Sequence, residues 1–298
     1  MDERALERRR FLIVHNTAAG RGRRELLDAV CGHLASANAV TTVVQADCAE
    51  TDRRLVMDAC DSGQFDAIVA AGGDSTVRGV ACGLVGRGLP LGIIPIGTGN
   101  VLAEEIGLAR TPAAIAGCLL RGGTVPHLPG RAGNTLFLSM VGAGFDARVL
   151  SHLDMGWKHR LGKLAYGWPL VRELYETPRH FRAIIDGREV SCAWLVVTKV
   201  ARYAGSFIIA PQQKLSAPGF HAMIISARTR RDMASVLAAV PLRSLARHPL
   251  VQIIACREAE VPGGQGVQLQ VDGEPLSSDG MKIGYAAEKL HLIVPEFT

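Results

Sequence analysis

Three glycine-rich corners hold the residue types that bind anions: "HNTAAGRGRR" (15–24), "AGGDST" (71–76) and "PIGTGN" (95–100). Each follows a short apolar run. Glycine lets backbone N–H groups approach a phosphate closely, and a helix starting directly afterwards turns its positive end toward it. Gly20, Gly72, Gly73, Gly97 and Gly99 supply such backbone. Ser75, Thr76 and Thr98 can donate hydroxyl hydrogen bonds, and Arg21, Arg23 and Arg24 can balance phosphate charge. Asp74 would repel a phosphate unless a cation lay between them. A carboxylate in a phosphate site therefore points to magnesium, a hard cation held by one or two carboxylates plus phosphate oxygens. Asn16 and Asn100 suit the same loops and suit helix caps equally. His15 reads as a hydrogen-bonded strand end or as a nucleotide contact. Each corner alone is an ordinary turn; three at strand ends of one sheet favour a phosphate site. Neither the Walker spacing nor the dinucleotide fingerprint fits them. A fourth stretch, "VQLQVDGEPL" (267–276), sets Asp272-Gly273 where a tight hairpin turn belongs, and such a turn can aim a carboxylate.

The elements that must position these residues change rhythm once. From residue 11 to about 122, continuous apolar runs alternate with helically spaced segments. Strands buried on both faces and separated by helices predict a parallel sheet in a Rossmann-like α/β domain, residues 1–125. Ligands of such sheets bind beyond the carboxyl ends of the strands, which would bring the three corners to one edge. After "GGTVPHLPG" (122–130), short strand-like runs dominate: "TLFLSMVG", "HFRAIID", "AWLVVTKV", "FHAMIISA", "VQIIAC", "VQLQV" and "LHLIVP". They predict a mostly antiparallel β-sandwich over 126–298, with helices in "LGKLAYGWPLVRELYE" and "RRDMASVLAAVPL" and a last strand free to return to the first domain.

Composition narrows the partners. The 298-residue chain is 48% apolar and 20% charged, with a net charge of +5 that suits nucleotide or acidic lipid. Only 5% of residues are aromatic and the basic residues form no single stripe, which argues against nucleic acid. Seven cysteines, Cys31, Cys48, Cys60, Cys82, Cys118, Cys192 and Cys256, are scattered singly, as in a reduced cytoplasmic protein. No apolar run approaches the roughly 20 residues of a membrane helix, and the N-terminus does not read as a signal peptide. In "WKHRLGKLAYGW", Trp157, Lys158, His159, Arg160, Lys163 and Trp168 suit a membrane interface, or a charged helix start over a buried Trp. Arg8, Arg9 and Arg10 read as a solvated lead-in.

With these residues in view, the sequence resembles the diacylglycerol kinase catalytic family, which includes bacterial lipid kinases and sphingosine and ceramide kinases and is distantly related to the NAD kinases. The family's GGDGT corner is matched by Gly72-Gly73-Asp74-Ser75-Thr76, and its PxGTGN corner by Pro95-Ile96-Gly97-Thr98-Gly99-Asn100. Asn16 to Gly20 match its first loop, with Thr17 in place of a proline. "GAGFDA" (142–147), "GKLAY" (162–166), "IIAP" (208–211) and "VDGEP" (271–275) follow in order. The resemblance implies an NAD kinase/diacylglycerol kinase-like fold and an ATP- and Mg2+-dependent kinase acting on a lipid hydroxyl. It implies ATP in a cleft between the domains, with its phosphates on the two glycine corners. It makes Asp272 the general base, with Glu274, like Asp74, near the metal. A lipid with a free hydroxyl, diacylglycerol by default, transient contact with the inner membrane surface and a homodimer are the partners this admits. Two departures bear on chemistry. Ser75 replaces a glycine, which adds strain if that position needs positive φ, or else a hydroxyl contact. Pro218 stands where the family has the aspartate of a second, structural magnesium site. A kinase for a soluble hydroxyl compound, or a binding protein without catalysis, stay open as alternatives.

Overall fold

A computed structural model describes residues 7–16, 24–45, 49–153, 165–203 and 207–296, without the side chains of 49–52. The chain forms two compact units, Met1–His127 with Glu288–Thr298, and Leu128–Ala287.

The first unit is built on strands β1 (Arg10–His15), β2 (Val40–Gln45), β3 (Ala67–Gly72), β4 (Leu91–Pro95) and β5 (Gly123–His127), joined by the last strand of the chain, β20 (Leu290–Val294). Their order is β2-β1-β3-β4-β20-β5. All run parallel except β5, which pairs antiparallel with β20. Every residue of β3 and β4 is buried, as runs without polar residues require when both faces of a sheet are covered. The cover comes from α1 (Arg24–Ser36), α2 (Ala49–Ser62), α3 (Asp74–Leu84), α4 (Val101–Glu105) and α5 (Pro112–Arg121). Helix α1 buries Leu27, Val30 and Leu34, a helical spacing of apolar residues.

The N-terminal arginines are not a solvated lead-in. The Arg8 guanidinium donates to the carbonyls of Leu119 (3.2 Å) and Gly122 (2.9 Å) at the end of α5. A cation there meets the orphan carbonyls and the negative end of the helix. Arg10 donates through Nη2 and Nε to Asp66 Oδ1 at 2.7 and 3.1 Å.

The second unit holds two six-stranded antiparallel sheets. One runs β10 (Arg188–Cys192), β9 (Phe181–Ile185), β16 (Ala259–Val261), β19 (Met281–Tyr285), β6 (Gly130–Ala132), β7 (Thr135–Phe137). The other runs β15 (Val251–Cys256), β14 (Phe220–Ile225), β11 (Trp194–Thr198), β8 (Met140–Gly144), β17 (Leu269–Val271), β18 (Glu274–Leu276). A separate ribbon pairs β12 (Arg202–Tyr203) with β13 (Phe207–Ile208). Phe137, Phe181 and Ile283 from one sheet and Val141, Leu195 and Phe220 from the other form one buried cluster, the core of a sandwich. "TLFLSMVG" is therefore not one strand: it breaks at Leu138-Ser139, with β7 and β8 in different sheets. Helices α6 (Phe145–Ser151), α7 (Gly167–Tyr175) and α8 (Arg230–Ala239) complete the unit, the last starting on a Thr229/Asp232 capping box. The basic cluster Trp157 to Lys163 lies outside the described residues. Trp168, Val171 and Tyr175 are exposed on α7, an apolar stripe at helical spacing.

Candidate active site

The parallel register brings the strand ends to one edge: His15 is opposite Ala71, and Gly72 is opposite Pro95. Asn16 continues that edge, its N–H donating to the Ala71 carbonyl (3.2 Å). Gly20 and Arg21, with Thr17 and Arg23, lie outside the described residues. The other two corners lock together. The N–H groups of Ile96 and Gly97 both donate to the Gly72 carbonyl at 3.1 Å. Asp74 Oδ1 accepts the Val101 N–H at 2.7 Å and so caps α4 from the neighbouring corner. Asn100 takes the left-handed conformation at φ 50° and donates through Nδ2 to the Gly97 carbonyl at 2.6 Å and to that of Pro95 at 3.3 Å.

The glycines serve this junction. A Cβ on Gly97 would fall 2.3 Å from Gly73 Cα, one on Gly99 2.7 Å from Asp74 Oδ2, and one on Gly72 2.3 Å from Thr76 Oγ1. Thr76 is buried over Gly72, while Gly73, Asp74, Ser75, Gly97, Thr98 and Gly99 remain partly exposed. Ser75 sits inside the first turn of α3, outside the set of positive-φ residues, so it carries no backbone strain. Helix geometry leaves the first-turn N–H groups of α3 without intrahelical acceptors, pointed along the same edge. His15 lies at its end, where burial and the Arg24 charge push the ring pKa down.

Asp272 and Glu274 belong to the second unit. Asp272-Gly273 is the two-residue turn between β17 and β18, with φ of 48° and 81°, the signature of a type I′ hairpin. The turn also fixes the carboxylate. Asp272 Oδ2 accepts the Leu138 N–H (2.8 Å), and Oδ1 accepts those of Ser139 (2.8 Å) and Met140 (3.0 Å). These are the donors freed where β7 gives way to β8. Glu274 opens β18, partly buried, opposite Val271. Sequence reasoning missed the partner of this turn, Gln270, whose Oε1 accepts the Gly273 N–H (2.9 Å). The signal was there: a buried amide in an apolar strand must find partners.

No group of three or more His, Cys, Asp or Glu among the described residues forms a metal cage. The second, structural metal does not fit. Lys199, fully buried, donates through Nζ to the carbonyls of Ala217 and Gly219 in the loop where Pro218 replaces an aspartate. An ammonium already faces those carbonyls. Burial pushes the Lys199 pKa from 10.5 to about 8. Below the lower value both folded and unfolded chains carry the charge, and its burial costs stability. Between the two values the folded chain sheds a proton that the unfolded chain keeps, so stability rises with pH. Lys199→Met is expected to abolish that rise. Melting temperatures measured across the window should shift in favour of the wild type as pH increases, and a constant difference would refute the assignment.

The diacylglycerol kinase catalytic domain pattern matches residues 9–131, and the YegS C-terminal NAD kinase beta sandwich-like domain pattern matches residues 139–294. A probable lipid kinase YegS-like protein of Pseudomonas putida is 28% identical over 253 residues, 82% of this chain and 81% of its own. A Mycobacterium tuberculosis diacylglycerol kinase is 33% identical over 171 residues, 54% of this chain and 55% of its own. A solved Bacillus anthracis chain shares the fold with a TM-score of 0.79 at 18% identity, over 99% of this chain and 98% of that one. The chain belongs to the diacylglycerol kinase family of lipid kinases, phosphotransferases with an alcohol acceptor.

Proposed function

We propose that the protein transfers the γ-phosphoryl group of ATP, with magnesium, to the free hydroxyl of a diacylglycerol-like lipid. The observation that carries this reading is the junction of the two glycine corners at the carboxyl edge of the sheet, held by backbone hydrogen bonds and partly open. Gly73, Ser75, Thr98 and Gly99, with Gly72, Thr76, Gly97 and Asn100 bracing them, hold the phosphates; Asn16, Gly20 and Arg21 add contacts from the first loop. Asp74 and Glu274 are the carboxylates for magnesium, which when bound neutralises phosphate charge. Asp272 accepts the proton of the lipid hydroxyl as that oxygen bonds to the γ-phosphorus and the bond to the β-phosphate oxygen breaks, releasing ADP. The exposed stripe Trp168, Val171 and Tyr175 supports contact with a membrane surface, where such a lipid resides. No helix among the described residues is long and apolar enough to cross a membrane.

The test is phosphorylation by purified protein with ATP and magnesium. Mixed micelles would carry diacylglycerol, monoacylglycerol, sphingosine or ceramide, beside a panel of soluble alcohols. A phosphorylated lipid is the expected product. ATP consumption with a soluble acceptor alone, or ATP binding with no transfer, would overturn the reading.

A further inference from the structure

The "GAGFDA" segment carries a buried carboxyl that the proposed chemistry leaves unused. Asp146, in the first turn of α6, is 5% exposed. Its Oδ1 accepts the N–H of Ala147 (2.8 Å), and its Oδ2 accepts Gln270 Nε2 (3.0 Å). The Tyr203 side chain lies beside the same carboxyl. The Trp194 indole N–H comes near it without reaching full hydrogen-bond geometry, its ring between Phe145 and Tyr203 at 5.3 and 6.0 Å. Gly142 leaves the room for this: a Cβ there would lie 2.1 Å from Asp146 Oδ2 and 2.5 Å from Gln270 Nε2. Burial pushes the Asp146 carboxyl up to about 7, with the Gln270 bond the largest counterweight. A group kept at that cost has a task.

The task follows from Gln270. A carboxamide has a donor end and an acceptor end, and only its surroundings decide which end faces which way. Asp146 takes the donor end. The acceptor end is thereby turned to the Gly273 N–H, inside the turn that carries Asp272. We infer that Asp146 is a positioning residue: through the Gln270 amide it sets the Asp272-Gly273 turn, and with it the aim of the Asp272 carboxylate. This rests on the reading of Asp272 as general base.

The experiment compares Asp146→Asn, Gln270→Ala and Asp272→Asn in the full chain. Two quantities are read: hydrogen exchange at the Gly273 amide, and kcat and KM with ATP and diacylglycerol micelles. Asp146→Asn keeps the shape but cannot accept at both oxygens, so the Ala147 N–H or the Gln270 amide loses its partner; a structural role alone would lower the melting temperature and leave kcat intact. The relay predicts faster Gly273 exchange in both relay variants and a fall in kcat of about 100-fold, the scale of a small misplacement of a reacting group. Both KM values should hold. The double variant Asp146→Asn/Gln270→Ala should be no worse than either single one, since both act through one chain of bonds. Unchanged Gly273 exchange, or wild-type kcat with inactive Asp272→Asn, overturns the relay. Wild-type turnover by Asp272→Asn instead overturns the general-base reading, and Gly273 exchange still decides whether Asp146 sets the turn.

Discussion

Asp272→Asn is expected to lose phosphoryl transfer by about 100- to 10,000-fold, the range for removal of a general base. The substitution is chosen because it separates chemistry from folding. Asparagine tolerates the left-handed backbone at φ 48°, and Asn-Gly is itself a favoured type I′ turn, so the β17–β18 hairpin survives. What it cannot do is accept at both oxygens. The carboxylate serves the N–H groups of Leu138, Ser139 and Met140, and the amide nitrogen of asparagine must face at least one of them. One unsatisfied buried donor costs about 1–3 kcal/mol. The variant should therefore melt a few degrees lower, remain folded at the assay temperature, and bind ATP as the wild type does. Turnover close to wild type, measured with the melting curve, would remove Asp272 from the chemistry.

Gly97→Ala has the second large effect, by a different route. Its Cβ would meet Gly73 Cα at 2.3 Å, Asn100 Oδ1 at 2.6 Å and Gly73 N at 3.1 Å. Two of these are backbone atoms, which cannot rotate away. The corners must separate, taking the paired hydrogen bonds to the Gly72 carbonyl with them. Overpacking of this kind costs about 1–3 kcal/mol, and the absence of any side-chain escape puts this site at the upper end. The loss of ATP binding should exceed what the stability change explains, because the phosphate cradle is the part that moves. Gly88→Ala is the control, with nothing within 4 Å of its Cβ. Calorimetric titration with ATP and magnesium should show binding by Gly88→Ala and none by Gly97→Ala; equal binding would mean the junction is not the cradle.

The α/β rhythm was legible because it is local. A fully buried strand announces itself as a run without polar residues, and β3 and β4 are such runs. The corners were legible only as a set: each alone reads as an ordinary turn, and three at strand ends of one sheet stand out. Their internal logic was not. Nothing in "AGGDST" or "PIGTGN" says that Asp74 caps the other corner's helix, or that the glycines first of all let two backbones touch. The break in "TLFLSMVG" was hidden for the same reason: Ser139 gives its N–H to a carboxylate 133 residues away. Arg8 and Lys199 look like ordinary charges in sequence, and only the fold brings backbone carbonyls to them. Ser75 looked like a strained substitution until its position inside a helical turn was known.

The claim on which the rest depends is that the joined corners hold the phosphates of ATP. Hydrogen exchange with and without saturating ATP and magnesium tests it directly. Slower exchange over residues 72–78 and 96–102 is the result expected. Protection confined to other parts of the chain, or none under conditions where ATP binds, would contradict it.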